Sequence, residues 1–228
     1  MSLNLSVYFN FRLIRGGSFI LLVAVLISGC GSNPPKDMDN ICKIFEENRS
    51  WYKASVKSKR KWGAPIHVPM AIMYQESSFR ANAKPPRKKI LGVIPGRRPS
   101  SAKGYAQAQS PAWKDYTRSS GNRFADRNDF ADSVDFIQWY MDRSQKMNGV
   151  SKWNAEQQYL NYHEGWTGYK KKTYRSKGWL MKVAKRVEVR SNKYARQLKE
   201  CERSLNKAGS EGYCSRKLSR YAHVIFNL

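Results

Sequence analysis

The sequence has few acidic residues, few histidines and no long apolar run. It holds 17 aspartates and glutamates against 42 lysines and arginines, and three histidines. The histidines are isolated from one another and no His-Glu-x-x-His motif is present, so a zinc site is not expected. The apolar run over residues 19–27 is far shorter than the roughly 20 residues that a transmembrane helix needs. These absences argue against a zinc enzyme and against a permanent membrane-spanning helix.

Sustained alternation of polar and apolar residues, the mark of β-strands, is also absent. The one Asn-Gly pair, at residues 148–149, follows a predicted helix and does not join two strands. Apolar residues recur instead at helical spacing, which predicts helices over 38–61, 69–76, 112–116, 129–148, 154–165 and 179–200. A Pro-rich and basic stretch, residues 81–103, is predicted to be a long loop. We expect an all-α protein with one domain over residues 38–201 and a basic C-terminal tail over 202–228.

The N-terminus is typical of an export signal. Two arginines precede the apolar run, which ends at Ile27-Ser28-Gly29-Cys30. This segment resembles a bacterial lipobox, in which the cysteine is acylated and becomes the first residue of the mature protein. We therefore expect a signal peptide over residues 1–29, a lipid anchor at Cys30 and a tether over residues 30–37. The alternative is an ordinary signal peptide that has a cysteine near its end.

The residue after the cysteine bears on the membrane to which the anchor would attach. Gly31 stands where an aspartate would favour retention at the inner membrane. By resemblance to enterobacterial-type lipoproteins, the outer membrane is favoured over the inner one. The expected location is the cell envelope, with the domain facing the periplasm.

The formal net charge of +25 indicates a polyanionic partner. Nucleic acid is the usual partner of so basic a chain, but an exported and tethered protein does not normally meet it. The cell envelope offers the carboxylates of peptidoglycan stem peptides, anionic lipid head groups and lipopolysaccharide phosphates. The alternative is that the charge serves solubility alone.

Three cysteines remain if Cys30 is acylated. A disulfide is expected in an oxidising compartment, and a Cys42–Cys201 bridge would join the first and last long helices. It is favoured over Cys201–Cys214, because closing a longer loop gives the larger entropic stabilisation in principle. Cys214 would then be unpaired.

Glu76 is the candidate acid. It ends a helix rich in methionine and isoleucine, in the segment Gln75-Glu76-Ser77-Ser78-Phe79, where burial can raise the pKa of a carboxyl group beside a turn that admits substrate. A glutamate at a helix end is more often a solvated or capping residue. The motifs that follow Glu76 decide between these interpretations.

Three motifs together resemble the lytic transglycosylases of the soluble, goose-lysozyme-like superfamily. They are Glu76-Ser77-Ser78-Phe79, then Gly104-Tyr105-Ala106-Gln107, then Asn161-Tyr162-His163-Glu164-Gly165. The resemblance spans about residues 60–170. In the third motif, His163 stands where the family has asparagine. The resemblance implies a lysozyme-like catalytic domain with at most a minor β element near the cleft.

The resemblance also implies a reaction. Glu76 would act as general acid and then as general base in cleaving the β-1,4 bond between N-acetylmuramic acid (MurNAc) and N-acetylglucosamine (GlcNAc), which leaves a 1,6-anhydromuramyl end. The substrate-binding residues implied are Ser77, Gly104, Tyr105, Gln107, Tyr162, His163 and Glu164. No metal and no cofactor is implied, and the partner is the glycan strand of peptidoglycan.

Two alternatives stay open. Glu164 could serve as a second carboxylate in a muramidase-type hydrolysis, or it could simply pair with the lysines and arginines nearby. The chain could also be a non-catalytic envelope lipoprotein that binds peptidoglycan, for example within a secretion or conjugation complex. A nucleic-acid-binding function would be possible only if the N-terminal segment is not an export signal.

A second group of residues could contact sugar. Four aromatic residues are interleaved with lysines and arginines just after the third motif: Trp166, Tyr169, Tyr174 and Trp179. They could form a wall on which sugars stack, or they could pack into the core while the lysines face solvent.

Overall fold

A computed structural model describes residues 33–90 and 93–225, and within them all side chains except those of residues 90 and 208–225. The expected signal peptide and Cys30 lie outside the described residues. The described residues form seven α-helices, in the order α1 (Ile41–Glu47), α2 (Arg49–Trp62), α3 (His67–Ser77), α4 (Ser110–Ser120), α5 (Phe130–Asn148), α6 (Ala155–Lys170) and α7 (Gly178–Ile225). A short 3₁₀ helix, Thr173–Ser176, connects α6 to α7. The all-α class expected from the sequence is confirmed.

Both β-strands of the described residues lie in the predicted long loop. Strands β1 (Lys89–Ile90) and β2 (Ile94–Pro95) pair antiparallel, with Lys89 opposite Pro95. In the part of the chain that the structure describes, no helix combines the length and the apolar character needed to cross a membrane.

The predicted single helix over residues 38–61 is wrong in detail, because two helices occupy this stretch. Asn40 caps α1, its side chain accepting hydrogen bonds from the amides of Cys42 and Lys43, so the helix begins at Ile41. Asn48 then leaves the helical region, with φ −128° and ψ 71°, and separates α1 from α2. The apolar spacing continues across this break, which is why the spacing alone does not show it.

Three later helices are longer than predicted. α4 covers Ser110–Ser120, and α6 continues past Gly165 to Lys170 although Gly165 itself is not helical. α7 runs to Ile225, so most of the predicted C-terminal tail continues the last helix. The apolar pattern of residues 202–225 is too weak to predict a helix. The helix forms nevertheless, because backbone hydrogen bonding does not require an apolar face.

α3 lies at the centre of the domain. Val68, Met70, Ile72 and Met73 are fully buried, as expected of a helix without a polar face. The helix contacts α5, α6 and α7, which surround it. Its C-terminal end therefore places Glu76 inside the protein.

The two ends of the domain are joined covalently and by hydrogen bonds. A disulfide links Cys42 in α1 to Cys201 in α7, which is the pairing that the sequence favours. Nearby, Arg190 forms a 2.6 Å ion pair with Asp39, and the amide of Ile41 donates to Gln197 over 3.1 Å. Cys214 lies where side chains are not described.

Candidate active site

The turn after α3 holds Glu76 in place. Ser78 and Phe79 both adopt left-handed backbone conformations, with φ of 50° and 55°, which side chains other than glycine rarely adopt. The amide of Ser78 donates to the Tyr74 carbonyl over 2.8 Å, and Phe79 is fully buried against Trp51. Packing thus maintains a strained turn directly beside the carboxyl group, as is common at functional sites.

Glu76 lines a cavity of about 520 Å³. Burial raises the pKa of its carboxyl group from 4.5 to about 7, although a hydrogen bond from Tyr159 acts in the opposite direction. A carboxyl group with this pKa is partly protonated at neutral pH. It can therefore donate a proton and then accept one.

Five of the predicted site residues line this one cavity: Glu76, Gln107, Tyr162, His163 and Glu164. They come from α3, from the loop before α4 and from α6. Residues of all three sequence motifs are thus brought together, although Gln107 lies 31 positions after Glu76 in the chain and Tyr162 a further 55 positions on.

Hydrogen bonds join the second and third motifs. The Tyr162 hydroxyl donates to the carbonyl of Ala106 over 2.6 Å. The side-chain amide of Gln107 donates to the carbonyls of Ala83 and Gly104 over 2.9 and 2.8 Å. Burial, and next the nearby charge of Glu76, raise the pKa of Tyr162 well above its usual value, so its hydroxyl stays protonated.

Three predicted substrate-binding residues do not line the cavity. Ser77 is buried and donates to the Met73 carbonyl over 3.2 Å, and Tyr105 is 1% exposed with its ring against Trp51. Gly104 has a φ of +79°, and an added Cβ would lie 1.8 Å from the Arg127 carbonyl oxygen. The positions of these three residues suit a structural role next to the site, because core side chains and neighbouring backbone fill the space around them.

Glu164 is a buried and fully paired carboxylate. Its side chain is 3% exposed, and Lys177 Nζ lies 2.8 and 2.9 Å from its two oxygens. His163 and the Thr173 hydroxyl also contact it. Burial alone would raise the pKa of Glu164, but these hydrogen bonds outweigh it and lower the pKa to about 2.

The sequence motifs do not predict three residues of the site. Tyr159 interacts with the Glu76 carboxyl group, while Thr173 and Lys177 hold Glu164. Tyr159 could have been found from its spacing, since it lies three and four positions before Tyr162 and His163 and so shares their helix face. Thr173 and Lys177 follow a turn of the chain that local spacing does not predict.

The expected aromatic wall does not form as one surface. Trp166 stacks on Tyr140 at 4.7 Å, and Tyr169 stacks on Tyr174 at 5.3 Å. Trp179, by contrast, is 57% exposed, and its ring meets that of His163 at 5.2 Å. Of the four aromatic residues, Trp179 is therefore the most exposed, and it lies beside His163 of the cavity.

The described ranges contain no group of three or more histidine, cysteine, aspartate or glutamate residues arranged to hold a metal ion.

A family model described as Transglycosylase SLT domain matches residues 18–201, which include every residue of the cavity. Neither a curated protein nor a solved structure matches the chain.

Proposed function

The chain belongs to the transglycosylase SLT domain family, which acts on peptidoglycan, and from this premise we propose that Glu76 cleaves the MurNAc–GlcNAc bond to give 1,6-anhydromuramyl ends. The proposal rests on the partly buried Glu76 in the catalytic cavity, where desolvation raises the pKa of its carboxyl group to about 7, a value that suits both proton donation and proton acceptance. The resemblance of its three motifs to lytic transglycosylases supports the same reaction.

The first step is proton donation. Protonated Glu76 transfers its proton to the oxygen between MurNAc C1 and GlcNAc, and the C1–O bond breaks as GlcNAc leaves with a 4-hydroxyl group. The 2-acetamido group of MurNAc stabilises the positive charge that develops at C1. Glu76 is then a carboxylate.

The second step returns the proton. The Glu76 carboxylate removes the proton from the MurNAc 6-hydroxyl, whose oxygen attacks C1 and closes the 1,6-anhydro ring. Glu76 is again protonated and no water is consumed. The hydrogen bond from Tyr159 orients the carboxyl group through both steps.

Gln107 and Tyr162 are positioned to orient the sugar. Gln107 donates hydrogen bonds from its NH₂ group to two backbone carbonyls. Its side-chain oxygen is therefore left to accept a hydrogen bond from the acetamido N–H. The Tyr162 hydroxyl donates to Ala106, and its oxygen can still accept from a sugar hydroxyl.

The contacts of Glu164 favour this single-carboxyl reaction over a muramidase-type hydrolysis. A base that activates water needs a free oxygen and a pKa nearer neutrality. Both oxygens of Glu164 are hydrogen-bonded, and its pKa is about 2. These features suit a carboxylate that stays ionised and holds the residues around it in place.

The test is digestion of purified sacculi by the full-length protein, by Glu76→Gln and by Glu46→Gln, a control at an exposed glutamate of α1. We expect 1,6-anhydromuropeptides from the wild type and the control, and roughly 10²–10⁴-fold slower release by Glu76→Gln. Muramic acid with a reducing end would identify a hydrolase instead. Binding of sacculi without release of any product would indicate a non-catalytic envelope protein.

We also propose that the protein is exported and attached through an acylated Cys30 to the periplasmic face of a membrane, the outer one being favoured. The lipobox-like segment Ile27-Ser28-Gly29-Cys30 supports this. Cells supplied with labelled fatty acid should label the wild type but not Cys30→Ala. Labelling of both proteins, or of neither, would contradict the anchor.

A further inference from the structure

A second cavity lies beside the catalytic helix, between α3 and α7. Its volume is about 760 Å³, and we call it the basic groove. Five cations of α7 line it: Lys182, Lys185, Arg186, Arg190 and Lys193. They stand at positions i, i+3, i+4, i+8 and i+11, so one face of the helix presents them over about 16 Å.

Most of this charge is not neutralised. Arg190 is paired with Asp39, and Lys185 with Glu188 and, at 3.9 Å, Glu156. Lys182, Arg186 and Lys193 form no ion pair among the described residues, and carboxylates are scarce in the chain as a whole. The groove therefore attracts anions.

The floor of the groove is apolar and partly aromatic. The guanidinium of Arg190 lies 3.4 Å from the centre of the Tyr74 ring, which holds both groups in place. Ala71 and Val187 are buried beneath, and Val189 is 61% exposed at the edge. Cations above an apolar floor suit a ligand with several carboxylates and aliphatic carbon, whereas a glycan strand without stem peptides keeps only the single lactyl carboxylate of each muramic acid.

The basic groove and the catalytic cavity are lined by consecutive residues of α3. Gln75 lines the groove, and its neighbour Glu76 lines the cavity. Arg186 of the groove is close enough to Tyr159 to favour ionisation of that phenol, and Tyr159 hydrogen-bonds Glu76. The two sites are therefore linked through α3 and through the contact of Arg186 with Tyr159.

We propose that the basic groove binds the carboxylate-bearing stem peptide of the muramic acid held at Glu76. This inference rests on the proposed function, because that reaction brings a muramic acid to Glu76. Four or five extended peptide residues span about 13–18 Å, which matches the row of cations. The groove would make the protein prefer peptide-bearing strands over bare glycan.

The test measures binding separately from cleavage. In a Glu76→Gln background, the full-length protein is titrated with the tetrapeptide that an amidase releases from sacculi. The groove variant is Lys182→Gln with Lys193→Gln, and the matched control is Lys53→Gln with Lys57→Gln, which removes two exposed lysines from α2. We expect at least about fivefold weaker binding for the groove variant and a change within about twofold for the control.

Several results would overturn the inference. They are absence of tetrapeptide binding, equal weakening by both variants, and weakening of binding to phosphatidylglycerol vesicles with no change for the tetrapeptide. Cleavage of peptide-bearing and of amidase-treated strands by the wild type is measured in parallel. Failure to cleave either strand would reject the proposed reaction, while the titration would still decide whether the groove binds the peptide.

Discussion

Glu76 is held by the fold in an environment that disfavours its carboxylate. Its pKa rises from 4.5 in an exposed setting to about 7 in the cavity, so the folded state binds the proton more tightly than the unfolded state does. The free energy of unfolding therefore falls as the pH rises from about 4.5 to 7, and it stays reduced above that range.

Replacing Glu76 with glutamine should remove this cost. We expect Glu76→Gln to raise the free energy of unfolding at pH 8 by roughly 3 kcal/mol and to leave it nearly unchanged at pH 4, as follows from the pKa difference. Urea unfolding at the two pH values, with Glu46→Gln as control, measures the effect. A stabilisation of equal size at both pH values would contradict it.

The same group sets the pH dependence of activity. Because the protonated form of Glu76 starts the reaction, kcat/KM for release of muropeptides should be high below pH 7 and fall tenfold per pH unit well above it. Rates measured from pH 5 to pH 9 give the profile. Activity that stays constant up to pH 9 would show that Glu76 is not the acid.

Glu164 represents the opposite case, a carboxylate stabilised by its partners. Lys177→Met should lower the free energy of unfolding by roughly 1–3 kcal/mol at pH 7, because the buried Glu164 loses its main cation. The effect should fade as the pH falls from about 4.5 towards 2, where Glu164 becomes protonated. A double-mutant cycle with Glu164→Gln isolates the pairing, and purely additive effects would contradict it.

At the scale of helices, the features that the sequence predicts are those that depend on residues close together in the chain. The apolar residues of α3, and Asp129 as the cap of α5, are visible in the chain and appear in the structure. The break at Asn48 is not predicted, because an asparagine can also continue a helix at small cost. The motifs predict Gln107 and Tyr162, which line the cavity, and also Tyr105, which is buried, because a motif gives the order of residues without the direction of their side chains.

The bend in α6 depends on a glycine. Gly165 has φ 74° and ψ 163°, a region essentially restricted to glycine, and this bend follows directly after Glu164. Gly165→Ala should cost roughly 1–3 kcal/mol of stability and lower activity, since no neighbour crowds the new methyl group and only the backbone is strained. Thermal unfolding and sacculus digestion measure both effects.

The control for this bend is Gly178→Ala, at the start of α7, where φ is not positive and the space is open. It should be neutral or slightly stabilising. Equal effects of the two substitutions would show that backbone strain at Gly165 is not the cause.

At the scale of the molecule, the Cys42–Cys201 bridge closes a loop with a sequence separation of 159 residues. Removing it with Cys42→Ser and Cys201→Ser should lower the free energy of unfolding by about 2–5 kcal/mol, chiefly through the greater freedom of the unfolded chain. Reductant should destabilise the wild type by a similar amount and leave the double variant unaffected. Sensitivity of the double variant to reductant would point to another cause.

The bridge also makes residues 42–201 a closed ring, and the catalytic cavity lies within it. A ring that is cut once becomes a single open chain and does not fall apart. Trypsin that cuts at the exposed lysines and arginines flanking β1 and β2, such as Lys88 and Arg97, should therefore leave one protein band on a non-reducing gel and two on a reducing gel. Any peptidase that cuts the chain once in this loop would leave the residues on both sides of the catalytic cavity covalently linked.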